Sequence, residues 1–155
     1  MEPHRTVDLL LVEDNQNDAA LTIRALKKRG VLNNIIVLRD GAKALEYMFS
    51  EGEYAGRVPD DGLPRVILLD LKLPKVDGFE VLSRLKSDER TRMVPVVMLT
   101  SSREEQDIVR SYRFGANSYI VKPVDFKNFS DAISEVALFW MILNEPPPPI
   151  KGPPG

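Results

Sequence analysis

Four short apolar runs in this chain each end on residues able to do chemistry. Val7 to Val12 runs into Glu13-Asp14, Val66 to Leu69 into Asp70, Pro95 to Leu99 into Thr100-Ser101, and Ser118 to Val121 into Lys122-Pro123. If each run is a strand of one parallel sheet, three carboxylates, a hydroxyl and an ammonium meet at its carboxyl-terminal rim, where open α/β sheets bind ligands. That set suits holding a divalent cation and accepting a phosphoryl group. Three clustered carboxylates repel, so in isolation at least one would keep a proton. Mg²⁺ relieves them, because it takes oxygen ligands and leaves room for water and phosphate oxygens. A carboxylate can attack phosphorus to give an acyl phosphate. Lys122 and Thr100 would meet the charge spread over the transferring group. Singly, each residue has a plainer reading: Glu13 and Asp14 could cap a helix, Asp70 could cap a loop, and Thr100 and Lys122 could be ordinary strand-end groups. Their common register favours one shared site. The residues alone leave open whether Asp70 or Asp14 is the nucleophile.

The elements that must position this set are legible as alternation. Apolar β-rich runs read as strands at about Val7–Val12, Ile35–Leu38, Val66–Asp70, Val96–Leu99 and Tyr119–Val121. Helical periodicity falls at about Asp18–Arg29, Gly41–Phe49, Phe79–Ser87, Glu104–Phe114 and Phe126–Leu143. Ala19, Ile23 and Leu26 share a face, as do Phe126, Phe129, Ile133, Val136 and Trp140. Asn17 is placed to cap the first helix and Asp125 the last. Gly115 stands where a helix C-terminus calls for a left-handed residue, and Asp77-Gly78 reads as a turn with close backbone approach. Five βα units predict an α/β fold: a flavodoxin-like, doubly wound, five-stranded parallel sheet of order 2-1-3-4-5 with five helices. That order sets Glu13 and Asp14 beside Asp70.

Bulk properties restrict the function classes. The 155 residues suit one domain with a real core. A net charge of −2 gives no electrostatic reason to expect nucleic acid. The absence of cysteine excludes disulfides and thiolate metal sites and fits a reducing cytoplasm. No segment reads as a signal peptide or membrane span. His4, the sole histidine, is assigned no role. Ser50 to Pro64 is a long connection of the kind that is functional or mobile, and its acidic residues read as solvated charges. The chain ends in a proline-rich stretch that cannot form helix or sheet. Ahead of it, Val136 to Leu143 reads VALFWMIL, more apolar residues than one helix face can bury. Such a patch predicts an interface, and a closed two-fold homodimer is the commonest solution. Phe139, Trp140 and Leu143 are its candidate anchors. The plainer alternative is packing of the helix end onto its own domain.

Four segments, taken together and in order, resemble the receiver domain of two-component response regulators. They are Leu11-Val12-Glu13-Asp14-Asn15, the run from Leu69 through Asp70-Leu71-Lys72-Leu73-Pro74 to Asp77-Gly78, Thr100-Ser101-Ser102, and Gly115-Ala116-Asn117-Ser118-Tyr119-Ile120-Val121-Lys122-Pro123. The resemblance covers Arg5 to Leu143. It implies a receiver domain over 5–143 and a proline-rich tail over 144–155 with no output domain. It implies that Asp70 is the phosphoacceptor, with Thr100 and Lys122 completing the catalytic set. Glu13, Asp14, Asp70 and the backbone carbonyl of Lys72 would hold Mg²⁺. Thr100 and Tyr119 would form the switch, and Pro123 would follow a cis peptide bond. Lys72 and Ser102 occupy positions that tune hydrolysis in the family. The implied partners are a sensor histidine kinase and a downstream protein that the sequence does not name. The long connection and the last helix more narrowly resemble stand-alone regulators paired with phytochrome kinases.

Two other classes compete. One is an aspartyl phosphatase or phosphotransferase, but such enzymes often carry a general acid two residues after the nucleophile, where this chain has Lys72. The other is a receiver-shaped module that never takes phosphate, usually marked by loss of an acidic, Thr or Lys position; here all are present. The expected protein is therefore no enzyme beyond its own Mg²⁺-dependent phosphorylation and dephosphorylation.

Overall fold

A computed structural model describes residues 7–27, 34–56, 63–101 and 103–134. The chain alternates β1 (Leu9–Val12), α1 (Gln16–Lys27), β2 (Ile35–Leu38), α2 (Gly41–Phe49), a 3₁₀ turn (Gly52–Tyr54), β3 (Val66–Asp70), α3 (Gly78–Ser87), β4 (Val96–Thr100), α4 (Glu105–Arg113), β5 (Ser118–Val121) and α5 (Phe126–Ser134). The five strands form one sheet of order β2-β1-β3-β4-β5, all neighbours parallel. This is the flavodoxin-like order expected from the alternation.

The strands are continuous apolar runs because both sheet faces are covered. Successive side chains point to opposite faces, which sorts the interior into two layers. Leu10, Val12, Ile67, Leu69, Val96 and Met98 pack with Ala44, Leu45 and Met48 of α2 and Val81, Leu82 and Leu85 of α3. Leu9, Leu11, Val66, Leu68, Val97, Leu99 and Ile120 pack with Ala19 and Leu26 of α1 and Phe129 and Ala132 of α5. The two layers fix the strands laterally, so the residues that follow them stay aligned. Asp70 lies opposite Leu99, and Thr100 opposite Val121.

Local chemistry sets the ends of the helices. Asp40 Oδ1 accepts from Lys43 N at 2.7 Å and Asp77 Oδ1 from Glu80 N at 2.9 Å. Asp125 caps α5 as expected: its Oδ1 accepts from Asn128 N at 2.7 Å, while Asn128 Oδ1 accepts from Asp125 N at 2.9 Å. Gly115 follows α4 with φ +102°. The cap of α1 differs from expectation. It is Asn15, not Asn17, whose Oδ1 accepts from Asp18 N at 2.9 Å, and the helix starts two residues earlier than the apolar periodicity implies. The polar residues 16 and 17 carry no periodic signal, which is why the pattern misses that first half-turn. Part of the long 50–64 connection is ordered by the 3₁₀ turn. There Tyr54 meets Tyr47 edge-on at 5.2 Å and Glu53 pairs with Lys43. The expected interface residues Phe139, Trp140 and Leu143, the proline-rich tail, His4 and Ser102 lie outside the described residues.

Candidate functional site

The site is built where β1, β3, β4 and β5 end. Glu13 extends β1 by one hydrogen bond, its N donating to Leu38 O at 2.9 Å, and its side chain is only 1% exposed with its backbone. Asp14, the next residue, is exposed. Asp70 closes β3 and is 5% exposed. Thr100 closes β4 and is buried. Lys122 follows β5, and its N donates to Thr100 O at 2.8 Å, which continues the β4–β5 ladder up to the site. The Lys122–Pro123 peptide bond is cis.

These elements bring three carboxylates and one ammonium together. Oxygen atoms of Glu13, Asp14 and Asp70 all lie within 4.8 Å of one another. Lys122 Nζ donates to Asp70 Oδ2 at 3.0 Å and to Asp18 Oδ2 at 2.9 Å, and lies 2.6 Å from Glu13 Oε1. The second Asp70 oxygen, Oδ1, accepts from Lys72 N at 3.2 Å. Asp70 is thus held from both sides. The turn after it is held as well. Gly78 N donates to Leu71 O at 2.9 Å, and a Cβ on Gly78 would sit 2.2 Å from Asp70 O. Only glycine permits this approach, as the Asp77-Gly78 pair suggested.

Charge at the site is unevenly shared. Burial is the main force pushing the Glu13 carboxyl up to about 7; a hydrogen bond with Asp70 and that residue's charge add to it, against the pull of Lys122 and the Asn15 amide. Burial also works against the Lys122 ammonium, but Glu13, Asp18 and Asp70 outweigh it and raise its pKa above the ordinary lysine value. Lys122 therefore stays charged at neutral pH, while Glu13 is poised between forms.

The donor set fits a divalent cation. Glu13 Oε1 is buried and makes no hydrogen bond of acceptable geometry, the ammonium beside it notwithstanding. A buried oxygen left this way is a ligand atom in waiting, and three hard carboxylates suit a hard cation. The rim opens into a groove of about 620 Å³ lined by Asp14, Leu71, Lys72, Leu73, Pro74, Asp77, Phe79 and Asp107.

The structure thus gathers Glu13, Asp14, Asp70 and Lys122, with Thr100 and Lys72 at the edge. Tyr119 is half-buried in β5, opposite Met98 and so two residues short of Thr100 in register, and packs against the layer that holds α2 and α3. Sequence reasoning missed Asp18. It stands in the first turn of α1, where an acidic residue is already explained by the helix dipole and gives no signal of a second partner.

Comparison with known proteins agrees with this geometry. The model of the response regulator receiver domain matches residues 9–134. The chain is 45% identical to the probable methanogenesis regulatory protein FilR2 of Methanothrix harundinacea, over 91% of this chain and 88% of FilR2. It is similar to the bacteriophytochrome response regulator RtBRR, with 53% identity and a TM-score of 0.79 over 93% of this chain and 86% of RtBRR. It is 37% identical to the response regulator Rcp1 of Synechocystis, over 86% of this chain and 88% of Rcp1. The Mn²⁺-bound form of Rcp1 superimposes with a TM-score of 0.71 over 92% of this chain and 99% of that one, at 35% identity. With the receiver model spanning the whole described sheet and relatives matched over most of their own length, this chain belongs to the response regulator receiver family of two-component signalling.

Proposed function

We propose that this protein is a stand-alone receiver that accepts a phosphoryl group on Asp70 from a histidine kinase and signals through a change of surface. The observation that carries this reading is the setting of Asp70. It is the buried carboxylate at the centre of the rim, with one oxygen on the Lys122 ammonium and the other on the Lys72 amide. An Asp70 oxygen would form the new bond to phosphorus as the bond from phosphorus to the donor breaks, and the donor leaves with that electron pair. Lys122 would neutralise a phosphoryl oxygen, and Thr100 would hydrogen-bond another. Glu13, Asp14, Asp70 and the Lys72 carbonyl would hold Mg²⁺, which supplies charge neutralisation for the incoming anionic donor. The inward shift of Thr100 would leave space that Tyr119 fills, giving the two-state element such a signal requires.

The likeness to a bacteriophytochrome regulator supports a phytochrome-type kinase as donor. The apolar run over 136–143 supports a homodimer anchored by Phe139, Trp140 and Leu143. Sedimentation as a concentration-independent monomer would remove the dimer. The net charge of −2 supports a role without nucleic acid, and the lack of cysteine fits work in a reducing cytoplasm; no helix among the described residues is long and apolar enough to cross a membrane.

The test is chemical. The protein is incubated with acetyl phosphate with and without Mg²⁺, and its intact mass is measured. One phosphoryl group should be gained only with Mg²⁺, and Asp70→Asn should gain none while keeping its fold. Labelling of that variant to the wild-type extent would move the acceptor elsewhere.

A further inference from the structure

We propose that Asp18 is the positioning residue for Lys122, holding its ammonium over the site while the cation-binding carboxylates are engaged elsewhere. This inference rests on the phosphoacceptor reading of Asp70.

Lys122 has three carboxylate neighbours, and they are not equivalent. Glu13 and Asp70 belong, with Asp14, to the trio whose oxygens lie within 4.8 Å of one another. Asp18 does not belong to that trio, although its Oδ2 accepts from Lys122 Nζ at 2.9 Å, as close as any hydrogen bond that the ammonium makes. A divalent cation on the trio competes with Lys122 for Glu13 and Asp70, and a phosphoryl group on Asp70 consumes the oxygen that Lys122 now holds. Asp18, outside the trio, keeps its contact when a cation binds, until a phosphoryl oxygen gives the ammonium a new partner. A lysine is a flexible four-carbon stem with a compact charge. Without that anchor nothing outside the cation-binding trio would hold the ammonium over the rim.

The anchor itself is rigid. Asp18 sits in the first turn of α1, and its amide donates to Asn15 Oδ1 at 2.9 Å. Its contact with Lys122 joins α1 to the end of β5 across 104 residues of chain. The plain alternative is a peripheral ion pair, worth little to stability. The Asp18 side chain is indeed partly exposed, at 38%, but its partner is at 17% and points into the rim. The contact therefore does little for the fold and much for where the charge stands.

The experiment compares Asp18→Ala and Asp18→Asn with the wild type, alone and in a Lys122→Ala background. The rate of phosphorylation by acetyl phosphate at saturating Mg²⁺ is read by intact mass. Mn²⁺ affinity of the unphosphorylated protein is read by electron paramagnetic resonance. Asp18→Ala should slow phosphorylation by about tenfold, short of the roughly 100-fold that a full ~1 Å misplacement can cost, with Mn²⁺ affinity unchanged. Asp18→Asn, whose amide oxygen still accepts from the ammonium, should restore most of the rate. In the Lys122→Ala background, Asp18→Ala should cost nothing further. If that background is too slow to measure, the contrast between Ala and Asn decides. A rate equal to or above the wild type in Asp18→Ala would overturn the proposal, the latter because Asp18 would then act only as a charge repelling the donor. So would an undiminished cost in the double variant, a parallel loss of Mn²⁺ affinity, or Asn behaving as Ala. A wild type that takes no phosphoryl group would overturn the Asp70 reading first and this proposal with it. A labelled wild type with indifferent Asp18 variants would overturn this proposal alone.

Discussion

Replacing Gly78 by alanine isolates one contact on which the site depends. The added Cβ would lie 2.2 Å from Asp70 O, 2.7 Å from Leu71 Cα and 3.0 Å from the Asp70 carbonyl carbon. All three are backbone atoms, so no side chain can swing aside. The residue opens a right-handed helix, where alanine is the better backbone former, so the whole cost is steric. Relieving it requires the β3–α3 turn to open by roughly 1 Å, the gap to ordinary contact distances. That opening stretches the 2.9 Å bond from Gly78 N to Leu71 O. Overpacking costs about 1–3 kcal/mol and loss of the bond about 1 kcal/mol, so Gly78→Ala should destabilise the protein by roughly 2–4 kcal/mol. Urea unfolding should show a lower midpoint with an unchanged slope. The displaced carbonyl belongs to Asp70 itself, so Mg²⁺-dependent phosphorylation should slow even in the fraction that stays folded. A variant within about 0.5 kcal/mol of the wild type, the usual scatter of surface substitutions, would show that the turn yields freely and that glycine is not required there.

Two further predictions follow from the same structure. Glu13, raised by burial to about 7 in the metal-free protein, favours folding in its protonated form; that contribution is complete below the ordinary carboxylate range and is lost as pH rises through about 7. A cation needs the ionised form, so Mg²⁺ affinity, measured by calorimetry, should rise about tenfold per unit as pH approaches 7 from below and then level off; Glu13→Gln should flatten that profile, and an unchanged profile in the variant would assign the proton elsewhere. Phe129, wholly buried in the layer between α1, α5 and the sheet, should cost about 3–5 kcal/mol when changed to alanine, and a loss below about 1 kcal/mol in denaturant titration would mean that α5 is not docked as described.

The sheet was legible because its strands are buried on both faces. Runs such as Leu9-Leu10-Leu11-Val12 and Val66-Ile67-Leu68-Leu69 have no other comfortable home, and the residue that ends each one is delivered to the rim by register alone. Helix starts were less legible. Asn15 and Asn17 are both good caps, and the choice between them is made by how many residues the turn after Glu13 needs. Asp18 was hidden for a related reason. An acidic residue in the first turn of a helix already has an explanation in the helix dipole, and its Lys122 contact is a property of the folded sheet. The helical period over 104–114 was read correctly as α4, but period says nothing of depth: Val109 and Tyr112 stay exposed and only Ser111 is fully buried.

That shallow seat bears on how a signal could leave the site. Helix α3, which begins beside Asp70, buries Val81, Leu82 and Leu85, each worth about 1.5–3 kcal/mol. Helix α4 has no such investment. Arg110 links it to α3, its guanidinium 4.0 Å from the Phe79 ring, a contact worth about 0.5–1 kcal/mol where solvent is near. Phe79 of α3 and Asp107 of α4 both line the groove at the rim. If Asp70 takes a phosphoryl group as proposed, the lighter seat of α4 makes it, rather than α3, the helix that would move. In the proposed switch, Thr100 and Tyr119 stand on β4 and β5, and α4 packs against β5, so the movement they would start meets a helix lightly enough held to follow it.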